Sequence, residues 1–113
     1  MSIETKIKTI NDGDFAAAVI ESSKPSIVDF WATWCQPCRR LDRVLDEMAA
    51  EYGERVSFFR VDVNESSRTA AKYSVHSIPL LLFVNRGEIV DRAAGTLTRD
   101  MIEEKLQTML EKI

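Results

Sequence analysis

Apolar positions along the chain alternate between short continuous runs and stripes at helical spacing. Residues 27–31 form a run of branched and aromatic side chains interrupted only by Asp29, which predicts a strand buried on both faces. From Pro37 to Gly53 the apolar positions recur at helical spacing, and this predicts a long helix that ends at the glycine. The apolar residues of that helix are Leu41, Val44, Leu45, Met48, Ala49 and Tyr52.

The segment before the first of these strands predicts a helix. Asn11 is placed to cap it, and Ile10 and Phe15 are spaced for a hydrophobic staple across that cap. We expect this helix to run to about residue 22, because Pro25 has no backbone N–H and cannot continue a helix.

Extended and helical patterns continue toward the C-terminus. Residues 56–63 and 80–84 predict strands, and residues 66–73 predict a short helix. A turn at residues 85–87 leads into an extended segment at residues 88–94. Because this connection is so short, the last two strands are expected to form an antiparallel hairpin.

The last predicted element is a helix capped by Thr98, with Leu97 and Ile102 at staple positions. Its residues expected to be buried are Met101, Leu106, Met109, Leu110 and Ile113. Strands that alternate with helices and then end in a hairpin and a helix predict an α/β fold, a three-layer sandwich with a central mixed β-sheet flanked by helices. With no repeats or linkers, residues 1–113 are expected to form a single domain.

Composition and charge exclude several classes of function. The chain is 45% hydrophobic and 29% charged, as globular proteins are, and no apolar run approaches the ~20 residues that span a bilayer. A net charge of −3 argues against a nucleic-acid partner. The first six residues lack the apolar core of a secretory signal, so we expect a cytoplasmic protein that does not associate with membranes.

The only two cysteines, Cys35 and Cys38, are separated by two residues. A structural disulfide is one interpretation, although closing so short a loop stabilises by about 2 kcal/mol at most. A metal site is another, although zinc requires four ligands and His76 is the only histidine. Both interpretations stay open on the residues alone.

A redox pair accounts best for the position of these cysteines, between a buried strand and a helix. Cys35 is expected at the helix N-terminus, where unpaired N–H groups favour a thiolate and lower the thiol pKa. Pro37 suits the first helical turn, and Cys38 lies three residues before Leu41 on the core-facing stripe. We therefore expect Cys35 to be an exposed nucleophile and Cys38 to be a shielded resolving cysteine.

Asp29 is the one charged residue in the first predicted strand. A buried carboxylate is unfavourable unless it is paired or protonated. One interpretation is a structural ion pair, for example with Arg60 on the neighbouring strand. We favour the other, in which Asp29 accepts the proton of Cys38 and titrates near neutral pH.

Residues 28–38, Val-Asp-Phe-Trp-Ala-Thr-Trp-Cys-Gln-Pro-Cys, resemble the active-site segment of the thioredoxin family almost throughout. The resemblance continues in register through nearly the whole chain. The further matching segments are residues 61–64, 73–75, 78–79, 81–83, 85–88 and Gly95.

The resemblance implies the thioredoxin fold and a substrate site around the cysteines. Pro79 would follow a cis peptide bond after Ile78, and the backbone of Ile78 would pair with an extended substrate segment. Substrate contacts would come from a flat patch at Trp34, Gln36, Pro37, Ile78, Ala94 and Gly95, with Pro79 beside it.

The resemblance also implies an activity. It is the reduction of disulfides in protein substrates, with electrons returned by an NADPH-linked flavoprotein reductase. We expect no bound cofactor or metal, and a monomer.

This chain departs from the family pattern at several positions. Gln36 replaces the usual glycine between the cysteines, which adds bulk at the substrate face, and Leu80 stands where threonine is common. Arg60 replaces a lysine thought to neighbour the buried aspartate, and its guanidinium does not lose its proton.

Two alternatives to a reductant remain. One is an oxidase or isomerase on the same fold, although such relatives more often carry histidine between the cysteines. The other is a binding module that uses the same apolar patch without cycling its thiols. Replacing both cysteines with serine would separate these classes, because a pure binding module keeps its function.

Overall fold

The computed structural model describes residues 6–112. Its elements are β1 (Ile7–Thr9), a π-helical turn (Ala16–Ile20), β2 (Ser26–Trp31), α1 (Gln36–Tyr52), β3 (Ser57–Asp62), α2 (Ser67–Lys72), β4 (Leu80–Asn85), β5 (Glu88–Ala94) and α3 (Arg99–Glu111). These bounds confirm the predicted order of strands and helices from β2 onward.

The five strands form one mixed sheet in the order β1-β3-β2-β4-β5. Strands β1, β3 and β2 run parallel, whereas β4 is antiparallel to both β2 and β5. The strand that leads to the cysteines, β2, therefore lies at the centre of the sheet. Parallel neighbours need a crossover connection, and α1 provides it between β2 and β3.

Apolar side chains fill both faces of the sheet, which confirms the predicted three-layer α/β architecture. On one face, Ile27 of β2 belongs to a core shared with Leu45 of α1 and Ile102 of α3. On the other face, Phe30 packs with Val19 of the π-helical turn. The alternation of these residues along β2 is the two-residue period of a strand that is covered on both sides.

The predicted first helix is shorter than expected and has π rather than α geometry. The predicted cap at Asn11 is wrong: Phe15 is the N-cap residue and there is no side-chain cap. The Asn11 side chain instead accepts from the Asp14 N–H at 3.1 Å in the preceding turn. The Glu21 N–H then donates to the Ala16 carbonyl five residues earlier, and the turn ends at Ile20. Because only Phe15 and Val19 of this segment are buried, a helix of little more than one turn is enough to place both side chains in the core.

Two other features differ from the prediction, and a third expectation is not tested. Strand β1 was not predicted, because three residues with a single buried side chain give too little pattern. Met101 was expected to be buried and is 44% exposed, since it lies on the outer face of α3. Ile113 lies outside the described residues.

Among the helices that the structure describes, none is long and apolar enough to cross a membrane.

The β4–β5 hairpin depends on a glycine. Arg86 and Gly87 both have positive φ, at 51° and 81°, as a tight two-residue turn between antiparallel strands requires. A Cβ atom on Gly87 would lie 2.4 Å from the Ile20 carbonyl oxygen. The π-helical turn therefore packs against this hairpin so closely that only glycine fits.

Candidate active site

Cys35 and Cys38 form a disulfide at the N-terminus of α1, with their Cα atoms 5.3 Å apart. Cys35 is the N-cap residue, and its Sγ accepts from the Cys38 N–H at 3.2 Å. Pro37 lies in the first helical turn, where its missing N–H leaves no carbonyl without a partner. The predicted placement of the pair at a helix N-terminus is confirmed, and this environment favours a thiolate at Cys35.

The connection from β2 to α1 is held by two hydrogen bonds. The Cys35 N–H donates to the Ala32 carbonyl at 3.1 Å. The Arg39 guanidinium reaches back from α1 and donates to the Thr33 carbonyl at 2.6 Å. Trp34, between these anchors, is 67% exposed beside the cysteine pair. The role of Arg39 was not predicted, because a basic residue on a helix surface carries no signal of a contact to its own preceding loop.

Cys35 is less accessible than expected. It is 4% exposed and Cys38 is fully buried, so the expectation of an exposed nucleophile is wrong for the disulfide form. The two residues form an apolar cluster with Ala32, and Trp31 and Ile78 are among the side chains packed against it. Apolar packing around the disulfide shields both sulfur atoms and leaves Cys35 the less buried of the two.

The Ile78–Pro79 peptide bond is cis. Pro79 is buried and Ile78 packs against the cysteine cluster, although 39 residues or more separate them from it in sequence. The structure therefore brings the two halves of the expected substrate site together. His76, in the same loop, is exposed.

Ala94 and Gly95 reach this region from the end of β5. Ala94 is paired with Leu80, the residue that follows Pro79, and both Ala94 and Gly95 are exposed. Gln36 and Pro37 are exposed on the cysteine side. The predicted substrate contacts thus lie on segments that converge around the disulfide.

Asp29 is 1% exposed, and neither of its carboxyl oxygens has a hydrogen-bond partner among residues 6–112. It lies on the same face of β2 as Ile27, which packs against α1. Burial, together with the negative charge of Asp42, raises the pKa of Asp29 to about 7, while the positive charge of Arg60 opposes that rise. Asp29 can therefore gain and lose a proton near neutral pH.

Arg60 does not form the ion pair with Asp29 that was considered from the sequence. It is paired in register with Asp29 across β2 and β3, but its guanidinium forms an ion pair with Asp42 of α1. The guanidinium also lies over the Trp31 ring, 5.0 Å from the centroid. The pair with Asp42 and the stacking on Trp31 together hold the cation beside the cysteine cluster.

The side chain of Asp42, on α1, is only 22% exposed. Burial raises its pKa, and the positive charge of Arg60 opposes that rise. The sequence does indicate this partial burial, because Asp42 lies four residues after Cys38 and therefore on the same side of α1.

The residues that the structure describes contain no group of three His, Cys, Asp or Glu side chains arranged to hold a metal ion. The site combines a dithiol–disulfide pair at a helix N-terminus with a buried carboxyl group that titrates near neutrality.

Comparison with known proteins gives a consistent result. A family model described as Thioredoxin matches residues 6–108. The chain is 39% identical to Thioredoxin 2 of Chlorobaculum tepidum over 95 residues, covering 84% of this chain and 87% of that protein. It is 37% identical to Thioredoxin of Haemophilus influenzae over 98 residues, covering 87% of this chain and 92% of that protein.

A plant protein is similarly related. The chain is 37% identical over 102 residues to Thioredoxin M-type, chloroplastic, of Pisum sativum, which covers 90% of this chain. The match spans only 59% of the length of the pea protein.

Proposed function

This chain belongs to the thioredoxin family of thiol–disulfide oxidoreductases, and from that membership we propose that it reduces disulfides in protein substrates. The observation that carries the proposal is the Cys35–Cys38 pair at the N-terminus of α1, the helix that follows the strand carrying the buried Asp29 carboxyl group.

The reaction begins at Cys35. Its thiolate attacks one sulfur of the substrate disulfide, so that a mixed disulfide forms and the other substrate sulfur leaves as a thiolate. The helix N-terminus stabilises the Cys35 thiolate before the attack. Cys35 is the less buried of the two cysteines, which supports its assignment as the attacking group.

Cys38 completes the cycle. Its thiol transfers a proton to the Asp29 carboxylate, and the resulting thiolate attacks the Cys35 sulfur of the mixed disulfide. The Cys35–Cys38 disulfide forms and the second substrate thiolate is released. Each released thiolate takes up a proton, one of them supplied by Asp29. The protein loses two electrons and the substrate gains them.

The substrate is held by the segments that converge around the disulfide. Ile78 lies against the cysteine cluster and, with Pro79 after it, would align an extended substrate strand, while Trp34 offers a large exposed apolar surface. Ala94, Gly95, Gln36 and Pro37 complete the contact region. We further propose that the protein acts as a monomer without a bound cofactor and that an NADPH-linked flavoprotein reductase returns the electrons.

The test is the reduction potential of the Cys35–Cys38 couple, measured by thiol trapping across a graded dithiol buffer. A two-electron transition near −270 mV, which is roughly thioredoxin's potential, supports a reductant. A value above about −200 mV lies in the range of isomerases and oxidases and would overturn the direction that we propose.

A second arm of the test addresses activity. The wild-type protein should catalyse the reduction of insulin disulfides by dithiothreitol, and the variant with Cys35→Ser and Cys38→Ser should leave only the uncatalysed rate. Equal rates with the two proteins would point instead to a binding module.

A further inference from the structure

The Asp42–Arg60 ion pair lies next to the proton acceptor of the proposed cycle. Asp29, Arg60 and Asp42 come from β2, β3 and α1 respectively, and Asp42 follows Cys38 by one helical turn. The side chains of Arg60 and Asp42 are 20% and 22% exposed, so water screens their charges only in part. Their arrangement therefore affects Asp29 more than a surface ion pair would.

Arg60 has two carboxyl groups near it and forms an ion pair with only one of them. Its paired position beside Asp29 places both side chains on the same face of the sheet, about 5 Å apart at the backbone. Its Nη2 nevertheless pairs with Asp42, while its buried Nε has no hydrogen-bond partner among the described residues. The guanidinium thus keeps an unused donor near a carboxyl group that has no partner.

From this geometry we propose that Asp42 is a positioning residue for the redox centre. By holding the Arg60 guanidinium on α1, it prevents this cation from pairing with Asp29, so that Asp29 remains free to accept the proton of Cys38. This inference rests on the proposed function, because it assigns a role within the same thiol cycle.

The groups that act on Asp29 are few among the elements packed around it. Arg60 is the charged residue facing it from β3, and Asp42 is the one facing it from α1. Its paired residue on β4 is the apolar Leu81. Cys38, also on α1, does not titrate while it is in the disulfide. Changes at Asp42 and Arg60 can therefore be followed in the oxidised protein without interference from the thiols.

The test is the titration of the Asp29 carboxyl carbon by ¹³C NMR in the oxidised full-length protein. With Asp42→Asn, Arg60 should turn toward Asp29, and the titration midpoint should fall by about 1 pH unit or more, as expected for a carboxyl group that acquires a cationic neighbour. The pH profile of insulin reduction should shift in the same direction.

Matched variants separate the role of Arg60 from the simple loss of a negative charge. Asp46→Asn removes the same charge one turn further along α1 and should leave the midpoint close to the wild-type value. Arg60→Gln is made both alone and together with Asp42→Asn, because the positive charge of Arg60 already lowers the Asp29 pKa in the wild type. If the guanidinium turns, Arg60→Gln should raise the midpoint by more in the Asp42→Asn background than in the wild type. Thermal unfolding of each variant verifies that the fold is retained.

Two results would overturn the proposal. One is an Asp29 midpoint that is unchanged by Asp42→Asn. The other is an equal rise of the midpoint on Arg60→Gln in the wild-type and Asp42→Asn backgrounds, because the guanidinium would then not have turned. The titration needs no substrate, so a protein that fails to reduce insulin but shows the expected shifts would contradict only the proposed function.

Discussion

Asp29 and Arg60 occupy paired positions on the parallel strands β2 and β3, yet the Asp29 carboxyl has no hydrogen-bond partner among residues 6–112. The cation that could neutralise it pairs with Asp42 instead. A carboxyl group without a hydrogen-bond or ion-pair partner in a largely apolar environment holds its proton more tightly than in water. This relationship has consequences for both stability and catalysis.

The first prediction concerns stability against pH. Because the pKa of Asp29 is raised to about 7 in the folded protein, the folded state binds this proton more tightly than the unfolded state does. The stabilising effect is complete below the unfolded pKa of 3.8 and is lost as pH rises toward 7. The free energy of unfolding of the oxidised protein should fall by roughly 2–3 kcal/mol between pH 5 and pH 8.

Asp29→Asn should remove most of this dependence and should be more stable than the wild type at pH 8. Urea unfolding of both proteins at several pH values measures the difference. The carboxyl groups with lowered pKa values, Asp12, Asp91 and Glu103, act below this window and do not disturb the comparison. Parallel stability curves for the two proteins would contradict the assignment of a raised pKa to Asp29.

The second prediction separates the roles of the two cysteines. Cys38→Ser should accumulate a mixed disulfide with a protein substrate, because Cys35 can still attack and no resolving thiol remains. Mass spectrometry under non-reducing conditions should detect the sum of the two chain masses. Cys35→Ser serves as the control and should give little of this adduct, since its remaining cysteine is the fully buried one. More adduct with Cys35→Ser than with Cys38→Ser would reverse the assignment.

The third prediction concerns the hairpin between β4 and β5. Gly87→Ala should lower the free energy of unfolding by more than Gly95→Ala does. Both glycines have positive φ, which costs a non-glycine residue on the order of 1 kcal/mol. Only at Gly87 would the new Cβ also collide with backbone, at the Ile20 carbonyl, whereas nothing lies within 4 Å at Gly95. Denaturant unfolding of the two variants gives the comparison, and equal losses would contradict the close packing of the π-helical turn.

The fourth prediction concerns the packing of α3. Ile102→Ala should reduce the free energy of unfolding by about 3 kcal/mol, because Ile102 is fully buried against the sheet and its removal leaves a cavity. Met101→Ala, next to it in sequence, should cost less than about 1 kcal/mol, because Met101 is 44% exposed. Similar losses at both positions would mean that α3 is rotated about its axis relative to the structure described.

Local sequence patterns were sufficient to predict most of the strands and helices. The run that forms β2 is short and rich in branched and aromatic residues, which favours a strand, and the stripe of α1 keeps its helical period over the whole element. The predicted cap at Thr98 is present, since a cap depends on residues only three apart. The elements that differed from prediction are those with little pattern, namely the three-residue β1 and the π-helical turn.

Some residues of the site could also be predicted from local sequence patterns, and others could not. Cys35, Cys38 and Asp29 could be selected from the sequence, because two close cysteines and a charge within an apolar run are visible without any fold. The positions of Ile78 and Ala94 around the disulfide came from family resemblance and not from any pattern that spacing could show.

The amino-acid sequence by itself determined which residues carry the chemistry, where the strands and helices from β2 onward lie, and that the cysteine pair stands at a helix N-terminus. Tertiary structure alone decided how deeply the disulfide is buried and which carboxyl group pairs with Arg60. Burial and charge pairing depend on distances between elements that are far apart in the chain. Those distances are set only when α1, β2 and β3 pack together.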